Sequence, residues 1–184
     1  MAIHTNTLPS KICLNEYAGN YQAYIDAVYE IFKIDFIDSR PSFGSHSLGL
    51  KFHSFFQDRA YTFYHMTHTG DVENERIPDL RRCECMPWGK PTVENVIPYS
   101  LKFWDQKRNG KYRICIWLET EDDVDYIFIL DVRKTYILPW TAFVLEYSHA
   151  KRKKEKEYNT WLMLQNGQTY SPDELVDKIR YEMP

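Results

Sequence analysis

The chain of 184 residues contains no apolar run close to the ~20 residues that a helical membrane span takes. Its opening, MAIHTNTLPSK, lacks the hydrophobic centre of a signal peptide. These two absences predict a cytoplasmic protein with no membrane partner. Cysteine is sparse as well. Cys13, Cys83, Cys85 and Cys115 include no Cys-x-x-Cys pair, which fits free thiols in a reducing compartment and predicts no disulfide. Also missing are a Gly-rich phosphate loop of Walker or dinucleotide type, a His-Glu-x-x-His helix and a nucleophile-elbow serine, so those enzyme classes drop out. Nor is there an excess of positive charge. With 23 Lys and Arg against 26 Asp and Glu the net charge is −3, whereas generic binders of phosphate backbones are usually basic.

What is abundant is aromatic: 16% of the chain, mostly Tyr and Phe, residues that favour strands and also stack on bases. Charge is polarised along the chain. Glu119 to Asp125 carries five negative charges, and His149 to Glu157 carries five positive and two negative ones. Length and a hydrophobic fraction of 43% suit one domain, 1–184, with its core over about 20–164 and a C-terminal helical extension over 165–184.

Local pattern predicts an α+β fold. Asn20 is a plausible cap for a helix running to Phe36, with Tyr21, Ile25, Val28 and Phe32 on the face toward a sheet. Leu48 to Phe52 and Tyr61 to Thr67 read as strands, the latter on its aromatic and β-branched character. From Val72 to Lys90 the chain is polar and Pro-interrupted and reads as a long loop; Glu94 to Trp104 reads as extended. Lys111 to Glu119 alternates Tyr112, Ile114, Ile116 and Leu118 with Arg113, Cys115, Trp117 and Glu119, the period of a strand. Tyr126 to Leu130, Thr135 to Leu138 and Ala142 to Leu145 continue an antiparallel meander. His149 to Leu164 reads as a helix, and Ser171-Pro-Asp-Glu174 is a capping box that opens another.

Several clusters carry chemistry. In Tyr64-His65-Met66-Thr67-His68, a histidine beside a hydroxyl can move a proton near neutral pH; a strand-end histidine with a structural hydrogen bond is the alternative. Arg81-Arg82-Cys83-Glu84-Cys85-Met86-Pro87-Trp88 combines a guanidinium fork with an aromatic plane, or else Arg82 pairs with Glu84 and Trp88 anchors a loop. Arg133 and Thr141, flanking Trp140, could hold a phosphate, or form an ordinary basic hairpin. His149 and the lysines after it could track a nucleic-acid backbone, or form a solvated helix face. His65, His68, Cys83 and Cys85 supply four nitrogen or sulfur donors, but Cys-x-Cys spacing and a strand that turns the two histidines to opposite faces speak against zinc. No metal and no cofactor are expected.

The order of these motifs resembles a known family. Phe63-Tyr-His65-Met-Thr67, Pro78 to Trp88, Arg133 to Leu138, Trp140-Thr141-Ala-Phe, and His149 followed by Lys-Glu-Lys-Glu-Tyr158 are similar to the phage-associated small nucleases of barnase, EndoU, colicin and RelE (BECR) type, often toxins. The resemblance covers roughly Tyr24 to Tyr158. It departs from the family at Cys85, where the loop motif carries a second arginine, so this loop has one guanidinium fewer for phosphate. The resemblance implies an N-terminal helix packed on a bent antiparallel sheet, with C-terminal helices beyond it, and metal-independent cleavage of RNA by attack of the 2′-OH on phosphorus. It further implies His65 as acid or base, Arg133 and Arg82 as phosphate clamps, Thr141 and Thr67 as hydroxyls near the reaction, and His149 as a second proton carrier. Trp88, Trp140 and Tyr64 are the candidates for holding a base. RNA, with tRNA among the targets, and an antitoxin or immunity protein are the implied partners. The alternative is an RNA-binding or protein-interaction module that keeps the fold without the chemistry.

Overall fold

Asn20 accepts a hydrogen bond from Ala23 N and starts helix α1 (Tyr21–Phe32) in a computed structural model that describes residues 2–53, 55, 57–122 and 124–184. Tyr24, Ile25, Val28 and Phe32 form its buried stripe, each worth roughly 1.5–3 kcal/mol against exposure, while Tyr21 lies toward solvent. A π-helical turn (Lys33–Asp38) follows and buries Phe36. Two-residue strands β1 (Ser42–Phe43) and β2 (His46–Ser47) then make a small hairpin.

The expected strand over Leu48 to Phe52 does not form. Leu48 and Gly49 bond to Pro41 O and Ile137 O, and the carbonyls of Phe52 and Lys51 accept from Tyr61 N and Thr62 N. That backbone caps α2 (Tyr61–Thr67), a helix where a strand was predicted. Packing overrides β-propensity here. Phe63 lies edge-on to Tyr29 and Phe32 of α1 at 4.9 and 5.5 Å, and Thr67 Oγ1 donates to Phe63 O one turn back. Two pairs at helical spacing bring their rings together as a strand would not allow, Tyr61 stacked on His65 and Tyr64 edge-on to His68.

The long loop expected over 72–90 is largely structured. β3 (His68–Thr69) pairs with β4 (Ile77–Pro78), Asp79 accepts from Arg81 N and Arg82 N to cap α3 (Leu80–Glu84), and α4 (Gly89–Glu94) follows a short turn. Gly70, at φ +137°, closes the β3–β4 turn where a Cβ would lie 3.3 Å from Arg76 Cα. Helix therefore reaches Glu94, and only from Lys102 is the segment after it extended.

β5 (Lys102–Arg108), β6 (Lys111–Leu118), β7 (Asp125–Val132) and β8 (Ile137–Leu145) form an antiparallel meander in that order. Tyr112 to Leu118 are all buried, so both faces of β6 are covered. The two strands expected over 135–145 are one strand with a bulge. Ile129 pairs with Thr141 and Leu130 with Pro139, which leaves Trp140 as the extra residue on an edge strand, where Pro139 costs no ladder bond inside the sheet. The fold is α+β.

Phe36 reaches the sheet by stacking on Phe128 at 6.0 Å, and Gly89 packs so closely there that a Cβ would meet Phe36 at 2.9 Å. Elsewhere α1 packs on α3, on the short turn Met86–Trp88 and, through Tyr29 and Phe32, on Phe63 of α2. Beyond the sheet lie α5 (Ser148–Leu164) and α6 (Pro172–Glu182), the latter with the expected Ser171–Glu174 capping box. The core extends past the expected 20–164: Ile3, Leu8 and Ile12 join it from one end, and Leu175, Val176 and Ile179 of α6 from the other. Among the described residues no helix is long and apolar enough to cross a membrane. The four cysteines are free thiols.

Candidate functional site

Arg113 and Asp131 sit opposite each other on β6 and β7, charged residues in the interior of strands whose other interior positions are apolar or aromatic. Both are buried, and they form an ion pair. Arg133, at the end of β7, donates from Nε to Asp131 Oδ2 at 2.9 Å, so one carboxylate holds two guanidiniums. The bulge at Trp140 turns the indole over this cluster, its centre 4.0 Å from the Arg113 guanidinium and 5.7 Å from Lys111 Nζ.

From α2, His65 completes the wall. Its ring lies 4.7 Å from Trp140 and 4.4 Å from Tyr61, and Lys51 Nζ sits 3.6 Å from the centre of the Tyr61 ring. Lys51, Tyr61, His65, Trp140 and Arg113 thus form a continuous line of ring and cation contacts. Beside it opens a cavity of about 620 Å³, lined by Lys51, Tyr61, His65 and Trp140 of this line together with Lys111, Asp131 and Arg133. Lys51 and Lys111 have no ion-pair partner among the described residues. Four cations here meet two carboxylates, Asp131 and Glu73, and the surplus positive charge suits an anionic ligand with a planar group.

His65 Nε2 lies 3.3 Å from Glu73 Oε1, and Tyr61 Oη donates to Glu73 Oε2 at the same distance. Burial and then the charge of Arg76 push the His65 pKa down to about 4, against the opposing effect of Glu73. The imidazole is therefore neutral at pH 7 and able to accept a proton. Burial, followed by Glu73, pushes Tyr61 up to about 12, so its hydroxyl stays a donor.

Of the residues singled out from the sequence, His65, Trp140 and Arg133 come together at this cavity. The others serve elsewhere. Thr141 Oγ1 donates to His65 O at 2.8 Å and accepts from Arg82 at 3.0 Å, which holds α2 against β8. Arg82 is spent on that contact and on Asp79. Thr67 is buried between Phe63 O and His68 Nδ1. Tyr64 hydrogen-bonds Arg59 and faces a second, smaller cavity. Trp88 donates to Pro9 O and packs on Tyr126. His149 is exposed and stacks on Tyr147 at the start of α5. Cys85 is buried, its thiol pushed up to about 12 by desolvation. No grouping of three or more His, Cys, Asp and Glu among the described residues could hold a metal ion.

Asp131, Arg113, Lys111, Lys51, Tyr61 and Glu73 were not foreseen. For Arg113 and Asp131 a signal existed: a charge in the interior of KYRICIWL and another in the interior of DYIFILDV, each flanked by apolar or aromatic residues. Tyr61, Lys51 and Glu73 had none, because they reach the site only through the helical course of 61–67. No family model, curated protein or solved structure matches the chain.

Proposed function

We propose that the protein is a metal-independent endoribonuclease, toxin-like and phage-associated, as the motif order implies. The observation that carries this reading is a neutral, carboxylate-tethered His65 on the wall of a cavity edged by Lys51, Lys111 and Arg133. In the proposed reaction His65 takes the proton of the ribose 2′-OH. The O2′–P bond forms and the P–O5′ bond breaks, giving a 2′,3′-cyclic phosphate and a 5′-hydroxyl end. Lys111 supplies the proton that the departing O5′ accepts, and Arg133, fixed by Asp131, stabilises charge on the phosphoryl oxygens. Glu73 orients the imidazole through Nε2, as carboxylates orient catalytic histidines elsewhere. Trp140 offers a ring against which a base or ribose can lie.

A second reading, an RNA-binding module without chemistry, is favoured by one observation: His149, the expected second proton carrier, stacks on Tyr147 rather than lining the cavity. RNA is the partner in both readings, with tRNA as one target, an antitoxin or immunity protein as a second partner, and the cytoplasm as the site of action.

The test is incubation of the protein with total RNA and with purified tRNA in EDTA, wild type beside His65→Ala, with analysis of fragment ends. Discrete fragments with cyclic phosphate ends that the variant does not produce are expected. Intact RNA at high protein concentration, with a gel shift on the same samples, would replace this reading by the second.

A further inference from the structure

The second cavity, about 380 Å³, shares Lys51 and Tyr61 with the first and is completed by Phe55, Tyr64, Glu73, Asn74 and Arg76. Its charges are unbalanced. Arg76 makes no ion pair among the described residues; its one hydrogen bond runs from Nη1 to His68 O at 3.4 Å, and its Nε is buried without a partner. No carboxylate of the described residues neutralises this guanidinium, and a cation left unpaired on a cavity wall draws an anion from outside. Lys51 Nζ is equally without a carboxylate and rests on the Tyr61 ring. Glu73, the one acid among the described lining residues, already accepts from Tyr61 Oη and contacts His65 Nε2. Gly70 holds Arg76 in place, since its turn brings the two backbones within contact distance.

We propose that this second cavity is a phosphate subsite in which Arg76 and Lys51 bind the phosphate next to the scissile one, so that the substrate is a single-stranded polynucleotide rather than a mononucleotide or small phosphate ester. The inference rests on the ribonuclease reading of the first cavity. Because both cavities meet at Lys51 and Tyr61, an RNA strand crossing that ridge places successive phosphates on either side of it. The exposed ring of Phe55 flanks the second position, where an unpaired base can stack without regard to its identity. A paired base would be withheld from that ring, which selects single strands.

The experiment is fluorescence anisotropy with 2′-O-methyl RNA, which binds but cannot be cleaved, as a dinucleoside monophosphate and as a hexanucleotide. Wild type should bind the hexanucleotide more tightly. Arg76→Ala should weaken the hexanucleotide about tenfold or more, as loss of one charge-assisted contact does, and leave the single-phosphate ligand unchanged. Its slope of log affinity against log salt should fall by about 0.7, the value of one phosphate contact on a single strand. Arg76→Lys should restore part of the affinity, and Arg133→Ala should weaken both ligands. Thermal unfolding of each variant separates a folding defect from a lost contact, and Arg76→Lys carries the test if Arg76→Ala does not fold. A hexanucleotide affinity unchanged in Arg76→Ala, or an equal loss for both ligands in a folded variant, overturns the subsite while the first cavity keeps its role. No binding of either RNA by wild type overturns the ribonuclease reading and this inference with it.

Discussion

The Arg113 guanidinium lies 4.0 Å from the centre of the Trp140 indole and pairs with Asp131 across the strands beneath it. Trp140 is therefore placed by a buried cation, and that cation is neutralised by a carboxylate that also holds Arg133. Asp131→Asn should cost about 3–5 kcal/mol in chemical denaturation, since it leaves Arg113 buried without its counterion. Arg133→Ala should cost under about 1 kcal/mol, because the Arg133 side chain is 44% exposed. Its effect should be on the reaction, a loss of about a hundredfold or more in rate. Equal stability losses in the two variants would refute this division of roles.

Acid should weaken the fold through two histidines. His65 and His68 are both pushed down to about 4, chiefly by burial and then by Arg76 for His65 and Arg59 for His68. Between about pH 6.5 and pH 4 the unfolded chain binds protons that the folded chain refuses, so stability rises with pH in that window and falls as pH drops through it. Above pH 6.5 both states are neutral at these positions and the contribution is flat. Urea titrations at pH 7.5, 5.5 and 4.5 should show the decline, and His68→Asn should shallow it. The acid limb of kcat/KM should lie near pH 4 if His65 is the base; a limb near pH 6.5 would point to another group.

Thr141→Val tests whether this hydroxyl belongs to the chemistry or to the scaffold. The change removes the donor to His65 O and the acceptor of Arg82, at a cost of about 1–3 kcal/mol. Cleavage measured well below the unfolding temperature should stay within a few-fold of wild type. A rate loss as large as that of Arg133→Ala, with the fold intact, would return Thr141 to the reaction.

Gly89→Ala introduces a methyl 2.9 Å from Phe36 Cζ and 3.2 Å from Phe128 Cε2, both in packed core. Overpacking of this kind costs about 1–3 kcal/mol. Phe36→Leu in the same chain should recover part of that loss, a coupling readable in a double-mutant cycle. Additive losses would mean that the backbone yields instead of the ring.

Elements whose signals are local were legible from the residues alone. Asn20 caps α1 through Ala23 N three residues on, and Ser171 with Glu174 closes a box within one turn. Alternation in 111–118 predicts a strand because period two suits nothing else, and the short aromatic and β-branched run 126–130 continues the meander. The segment 61–67 failed this test: its aromatic and β-branched residues argue for a strand, but capping by the carbonyls of Lys51 and Phe52 and the packing of Phe63 on α1 make it a helix. That one reversal decides the site. As a helix it aligns Tyr61 with His65, brings both beside Lys51, and gives Thr67 and Tyr64 to the interior and the neighbouring cavity.

Caps, turns and periodicity act over a few neighbours, so an α+β chain, its meander, its terminal helices and the residue types available for chemistry can be read from the residues in order. Which of those residues meet depends on contacts between distant parts of the chain. His65 and Trp140 come from elements far apart in the chain, Arg113 faces Asp131 through strand register, and Trp140 turns inward because a bulge adds one residue to β8. Each of these contacts is set by how strands pair and helices pack, and a charge or ring acquires its partner only when the chain has closed around it.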